Sequence, residues 1–138
     1  MKKHIDIRAS AMAAVQTSLS NSGVTGVVFF DGRPGFIDAK DVPAVAVYIT
    51  DAEASERIDS FCGGGWEATL HIEVFLKSSS PDTELDSWTD QLCQAVLNSD
   101  TLSGMLISII PSGYDYQRDE EMMTWGSSDL RFAIAYTI

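Results

Sequence analysis

Residues 5–19 place the large apolar side chains Ile5, Met12, Val15 and Leu19 near one face at helical spacing, with alanines between them, which predicts an amphipathic helix. Asn21-Ser22-Gly23 then supplies the left-handed residue and polar partners that end a helix. Residues 27–30 (Val-Val-Phe-Phe) are short, β-branched and aromatic, a strand signal, and they run into Asp31-Gly32-Arg33-Pro34-Gly35, where the chain must turn. Residues 42–50 read as a further strand, with Pro43 suited to its start or to a sheet edge. Residues 51–65 are polar, acidic at first, and closed by Gly63-Gly64-Gly65, so they read as a mobile loop whose length marks it as a candidate interaction arm.

Residues 66–77 carry the clearest alternation, with Leu70, Ile72, Val74 and Leu76 on one face and His71, Glu73 and Phe75 on the other; one face is expected to be core. Ser80-Pro81-Asp82 opens a second helix: Ser caps free amides, Pro suits the first helical position, and Asp82, Glu84 and Asp86 favour the positive end of the dipole. Leu85, Trp88, Leu92 and Val96 form its buried stripe, with Cys93 beside them as a small core residue. After a short turn at 101–104, residues 105–110 and 114–118 read as one strand interrupted by a bulge or kink near Pro111. Leu130, Phe132, Ile134, Tyr136 and Ile138 then alternate in a last strand.

Helix, three strands, helix and two strands over residues 1–138 predict one α/β (α+β) domain: a mixed, mostly antiparallel sheet of about five strands with two main helices on one face. The crossover through the second helix is expected to set one parallel pair. At 138 residues, with 45% hydrophobic and 21% charged side chains, the chain has the composition of a single folding unit.

Charge narrows the function classes. Nine Lys and Arg against twenty Asp and Glu give a net −11, which disfavours broad basic contacts to nucleic-acid phosphates. Residues 1–77 carry −3 and residues 78–138 carry −8, so the field is strongest in the second half. No run of 18 apolar residues and no apolar secretory stretch after Met1 is present, giving the expectation of cytoplasmic synthesis without a membrane partner. Cys62 and Cys93 are 31 positions apart and outside any C-x-x-C pair, which favours reduced thiols.

Candidate chemistry is sparse. His71 beside Glu73 reads as a strand residue, and His4 is expected in a frayed terminus. The triple glycine lacks the Lys and following helix of a phosphate loop and reads as a hinge. The clusters Asp51/Glu53, Asp82/Glu84/Asp86 and Asp119/Glu120/Glu121 lack EF-hand spacing and read as solvated carboxylates. No catalytic, cofactor or metal site is assigned, and the expectation is a non-enzyme.

Several stretches, in register over nearly the whole chain, resemble one family. They are Phe29-Phe30-Asp31-Gly32-Arg33-Pro34 with Phe36 and Asp38, Pro43-Ala44-Val45-Ala46-Val47-Tyr48 with Thr50, Leu70-His71-Ile72-Glu73-Val74-Phe75-Leu76, Pro81-Asp82 with Glu84-Leu85-Asp86 and Trp88, Gly113-Tyr114-Asp115-Tyr116 with Arg118-Asp119, and Trp125 with Ser127-Ser128-Asp129-Leu130. Together they resemble the tail terminator family of long-tailed phages, the minor tail protein U of lambda-like phages. The departures lie mainly in residues 55–65 and at Thr137-Ile138.

The resemblance implies a structural, non-enzymatic protein of a phage or prophage. It would form a homo-hexameric ring on the end of the tail tube, terminate tube polymerisation and provide the surface for head-tail joining. Its implied partners are itself, the tail tube protein and a head-completion (connector) protein. Its implied place is the head-proximal end of the virion tail, after synthesis in the host bacterial cytoplasm. Three segments are the candidate assembly interface: Asp31, Gly32, Arg33 and Pro34; Asp51, Glu53, Glu56 and Arg57; and Arg118, Asp119, Glu120 and Glu121. No cofactor is expected beyond a weak effect of divalent cations on assembly. The competing class is an acidic binding module, a DNA mimic that inhibits a host nucleic-acid-binding protein.

Overall fold

A computed structural model describes residues 1–56, 64–78, 80–118 and 125–138. Helix α1 (Lys2–Asn21) is followed by β1 (Val28–Asp31), a 3-10 turn (Ala39–Asp41), β2 (Ala44–Ala54), β3 (Gly65–Leu76), α2 (Pro81–Leu97), α3 (Asp100–Met105), β4 (Ser108–Arg118) and β5 (Gly126–Thr137). α1 ends as its sequence dictates. Gly23 takes φ +79° and its amide donates to the Ser20 carbonyl at 3.1 Å, while the Val24 amide reaches back to the Leu19 carbonyl at 3.0 Å.

The buried stripe of α1 is Ile7, Ser10, Ala11, Val15 and Leu19. Ile5, expected on it, is exposed, because two residues turn a helix by about 200° and Ile7 takes the inward position. In α2 the inward residues are Leu85, Thr89, Leu92 and Val96, while Trp88 and Cys93 are half-buried at the rim of the stripe. Pro81 begins that helix as expected, but the Ser80 hydroxyl makes no cap bond there. The expected turn at 101–104 is instead a short helix, capped by Ser99 Oγ accepting from the Leu102 amide at 3.2 Å.

The strand order is β1-β2-β3-β5-β4, antiparallel throughout except for β1 with β2. The single parallel pair therefore does not come from the α2 crossover. β5 returns between β3 and β4, and the residues 32–43 that join β1 to β2 form the dozen-residue connection a parallel pair requires. The expected loop at 51–65 begins later than anticipated. β2 continues through Asp51 (φ +55°) by way of a register shift between Thr50 and Glu53, and Gly65 is already paired with Thr137 in β3; residues 57–63 lie outside the described residues. The interruption expected in β4 is a register shift between Pro111 and Gly113.

Both main helices lie on one sheet face, where Ile7, Ala11, Val15 and Leu19 of α1 and Leu85, Leu92 and Val96 of α2 enclose Val45, Val47, Leu70, Ile72, Val74, Phe132 and Ile134. Each fully buried apolar side chain of this size contributes on the order of 1.5–3 kcal/mol. The opposite face was expected to be open, yet His71, Glu73 and Phe75 are all buried. A second apolar cluster of Ile37, Ala44, Ala46, Tyr48 and Phe75, with Phe30, Val42 and Trp125 packed against it, covers that side.

Candidate assembly surfaces

The covered half of the second sheet face is organised around one buried carboxylate. Glu73 is 1% exposed; its Oε1 accepts from the Tyr48 hydroxyl at 2.8 Å and lies 3.3 Å from Arg33 Nε, and its Oε2 accepts from Ser127 Oγ at 3.0 Å. Burial is the main cause, followed by the Glu73 hydrogen bond, that pushes the Tyr48 phenol well above its ordinary range, so it remains a donor. Tyr48 stacks on His71, with centroids 4.3 Å apart and planes 10° from parallel. His71 Nδ1 donates to Asp129 at 2.9 Å and Nε2 lies 2.6 Å from Thr50 Oγ1, so both ring nitrogens have a polar partner. Beyond them Arg131 pairs with Asp115 on β4.

Arg33 reaches this network because Gly32 reverses the chain after β1 with φ +106° while its amide donates to the Val47 carbonyl at 2.9 Å. The connection then carries Ile37 onto Ala44, Ala46 and Phe75, and Trp125 closes edge-on against Phe75 at 5.4 Å. No Cβ clash exists at Gly32, so the demand is for backbone conformation alone. Gly32→Ala is expected to cost about 1–3 kcal/mol through strain at positive φ, measured as a lowered urea midpoint at unchanged m-value.

On the helix face, the β4 edge meets α2 through polar contacts. Tyr114 and Tyr116 both donate to Asp86 Oδ1, at 2.9 and 2.5 Å, and Arg118 donates to Asp82 at 3.1 Å. Between these elements lies a cleft of about 410 Å³ lined by Asp86, Thr89, Asp90, Cys93, Tyr114 and Tyr116. Burial, with the charge of Asp90, pushes the Cys93 thiol up, away from reactivity. A larger groove of about 640 Å³ follows the α1–α2 seam, lined by alanines, hydroxyls and amides including Ser10, Ala14, Gln91 and Asn98, and without a charged side chain. Among the described residues no three His, Cys, Asp or Glu side chains converge as a metal centre requires.

Comparison with known proteins identifies the family. The model of phage minor tail protein U matches residues 2–136. The chain belongs to the phage minor tail protein U family. It is 43% identical to the tail tube terminator protein of Escherichia phage lambda and 42% identical to that of Escherichia phage N15, each over 136 residues that span 97% of this chain and 98% of the relative. A chain from the virion of a native gene transfer agent particle shares the fold with a TM-score of 0.50 at 15% identity, covering 91% of this chain and 93% of that one.

In this minor tail protein U member, the Asp31–Pro34 segment reaches β4 beside Arg118, and the segment at Asp51 stands apart. Asp31 ends β1 and accepts from Arg8 at 2.6 Å, Pro34 is half-buried, and Arg33 donates to Gln117, the neighbour of Arg118, at 3.3 Å. Asp51, Glu53 and Glu56 are exposed at the opposite end of the strands, where Ala54 pairs with Trp66. Arg57, Asp119, Glu120 and Glu121 lie outside the described residues. Sequence reasoning passed over Glu73, Tyr48, His71, Asp129 and Ser127. Their signal was the unbroken apolar run Ala44-Val45-Ala46-Val47, which marks a strand buried on both faces.

Proposed function

We propose that this protein is the tail tube terminator of its phage or prophage, a structural component that seats on the end of the tail tube, stops its polymerisation and presents the surface for head joining. The observation that carries this reading is the 42–43% identity to two tail tube terminators over 97% of the chain. Its partners are then the tail tube, a head-completion protein and further copies of itself, and its place is the head-proximal end of the virion tail.

Capping a tube calls for a closed ring, and the resemblance read from the sequence implies six subunits in it. A cyclic ring joins different patches of neighbouring subunits, so each needs two complementary surfaces. Six copies at −11 each carry a formal −66, so closure is opposed by repulsion at low salt. Raising ionic strength or adding magnesium at fixed protein concentration is expected to increase association seen by light scattering; an unchanged signal under both overturns this electrostatic control. Size measurement with negative-stain imaging tests the terminator itself. Six-fold rings that block tube growth support it, and a persistent monomer that never does so overturns it.

The DNA-mimic reading rests on the net charge and needs carboxylates spaced like phosphates along one face. Here Asp31, Asp82 and Asp115 are each paired with an arginine and Glu73 is buried, which counts against those carboxylates standing in for phosphates.

A further inference from the structure

Resting on the ring reading above, we infer that neighbouring copies join through the two open ends of the sheet, the β4 edge of one copy lying antiparallel along the β1 edge of the next. Among the described residues β1 and β4 are the outer strands, so each carries a row of backbone amides and carbonyls that no described strand takes up. Strand direction fixes the sense of the joint. β1 runs with β2, and the successive antiparallel steps to β3, β5 and β4 leave β4 running opposite to β1. A cyclic array that keeps the same sheet face inward therefore brings β4 of one copy antiparallel to β1 of the next, the more stable pairing.

The ladders also fix the level. Val28 lies across from Ala44, Phe75, Ser127 and Gln117 in succession, and Asp31 from Val47, Ile72, Leu130 and Tyr114. An unsheared continuation thus sets Val28–Asp31 beside residues 114–117 of the next copy. That is the part of β4 left suited to pairing. Pro111 offers no amide and the adjacent register shift distorts the first half of the strand, whereas Tyr116 is 46% exposed and no proline interrupts the remainder. Val28, 36% exposed, supplies an apolar contact on the other side.

Charge selects this joint over its rival. Residues 1–40, which include α1 and β1, hold five basic and three acidic side chains, net +2. Residues 81–118, which include α2 and β4, hold one basic and six acidic side chains, net −5. Joining β4 to β1 brings a net-positive segment beside a net-negative one, while a two-fold β4–β4 pairing brings two net-negative segments together and closes at a dimer.

The test is disulfide trapping in the full chain with Cys62→Ser and Cys93→Ala. Under assembling conditions, Val28→Cys/Gln117→Cys, or Val28→Cys/Asp115→Cys one same-face step away, is expected to give a covalent ladder ending at the ring size, while Gln117→Cys alone gives no dimer. Rings seen by imaging without cross-linking in either double variant overturn the edge joint and leave the terminator reading intact. Efficient dimers from Gln117→Cys alone overturn it in favour of the two-fold pairing. A chain that stays monomeric in every condition overturns both readings.

Discussion

Phe132→Ala is expected to lower the folding stability of this protein by about 3–5 kcal/mol, the range for removing a fully buried aromatic ring from a packed core. Phe132 is wholly inaccessible and sits in β5, the strand that returns between β3 and β4, directly across from Leu70 on one side and Pro111 on the other. Its ring points to the helix-covered face, where Leu92, Val96 and Leu102 contribute to the same cluster. Cavity formation adds to the lost transfer energy there, because a sheet held by two ladders cannot collapse inward. For a chain of this length about 3 °C is lost per kcal/mol, so the thermal midpoint should fall by roughly 10–15 °C. Ala133, the next residue, is exposed on the opposite face, and Ala133→Ser should stay within about 0.5 kcal/mol. Equal losses at the two positions would mean that β5 does not alternate between a packed and an open face. Since domains have total stabilities of about 5–15 kcal/mol, the Phe132 variant should also assemble poorly simply because less of it is folded.

The alternation that singles out Phe132 was readable in the sequence, as were the Gly23 stop, the Pro81 start and the break in β4, because each rests on residues within a few positions of one another. What was not readable depends on distant segments. The place of β5 between β3 and β4 is a matter of ladder partners, and nothing within 126–137 states it. Alternation in β3 looks the same whether His71, Glu73 and Phe75 meet water or other groups, and here Ile37 and Trp125 pack on Phe75, Arg33 pairs with Glu73, and Tyr48 stacks on His71. Among the candidate residues, Arg33 was singled out from its turn, while its ion-pair partner Glu73 lies forty positions away. The short α3 was missed although Ser99 precedes it in capping position, because a six-residue helix has too few turns to show a period.

Glu73→Ala is expected to cost about 2–4 kcal/mol, mostly through the donors it strands rather than through its ion pair. The Tyr48 and Ser127 hydroxyls that it accepts are buried, and an unsatisfied buried polar group costs roughly 1–3 kcal/mol. The Arg33 side chain is about half exposed and can return to water, so Arg33→Ala should be the milder change. Glu73→Gln keeps an acceptor for one hydroxyl and should fall between the two. Pairing Glu73→Ala with Tyr48→Phe removes one stranded donor, so the double variant should lose less than the sum of the single losses in urea unfolding. Additive losses would show that the carboxylate does not hold the phenol. Because Arg33 ties the 32–43 connection to Glu73, amide exchange at Gly35–Lys40 should accelerate in Glu73→Ala more than exchange in α2, which packs on the other face. An edge joint at β1 depends on the same connection leaving Asp31 in place, so a variant that loosens it while remaining folded should close rings less readily than the parent at equal folded concentration.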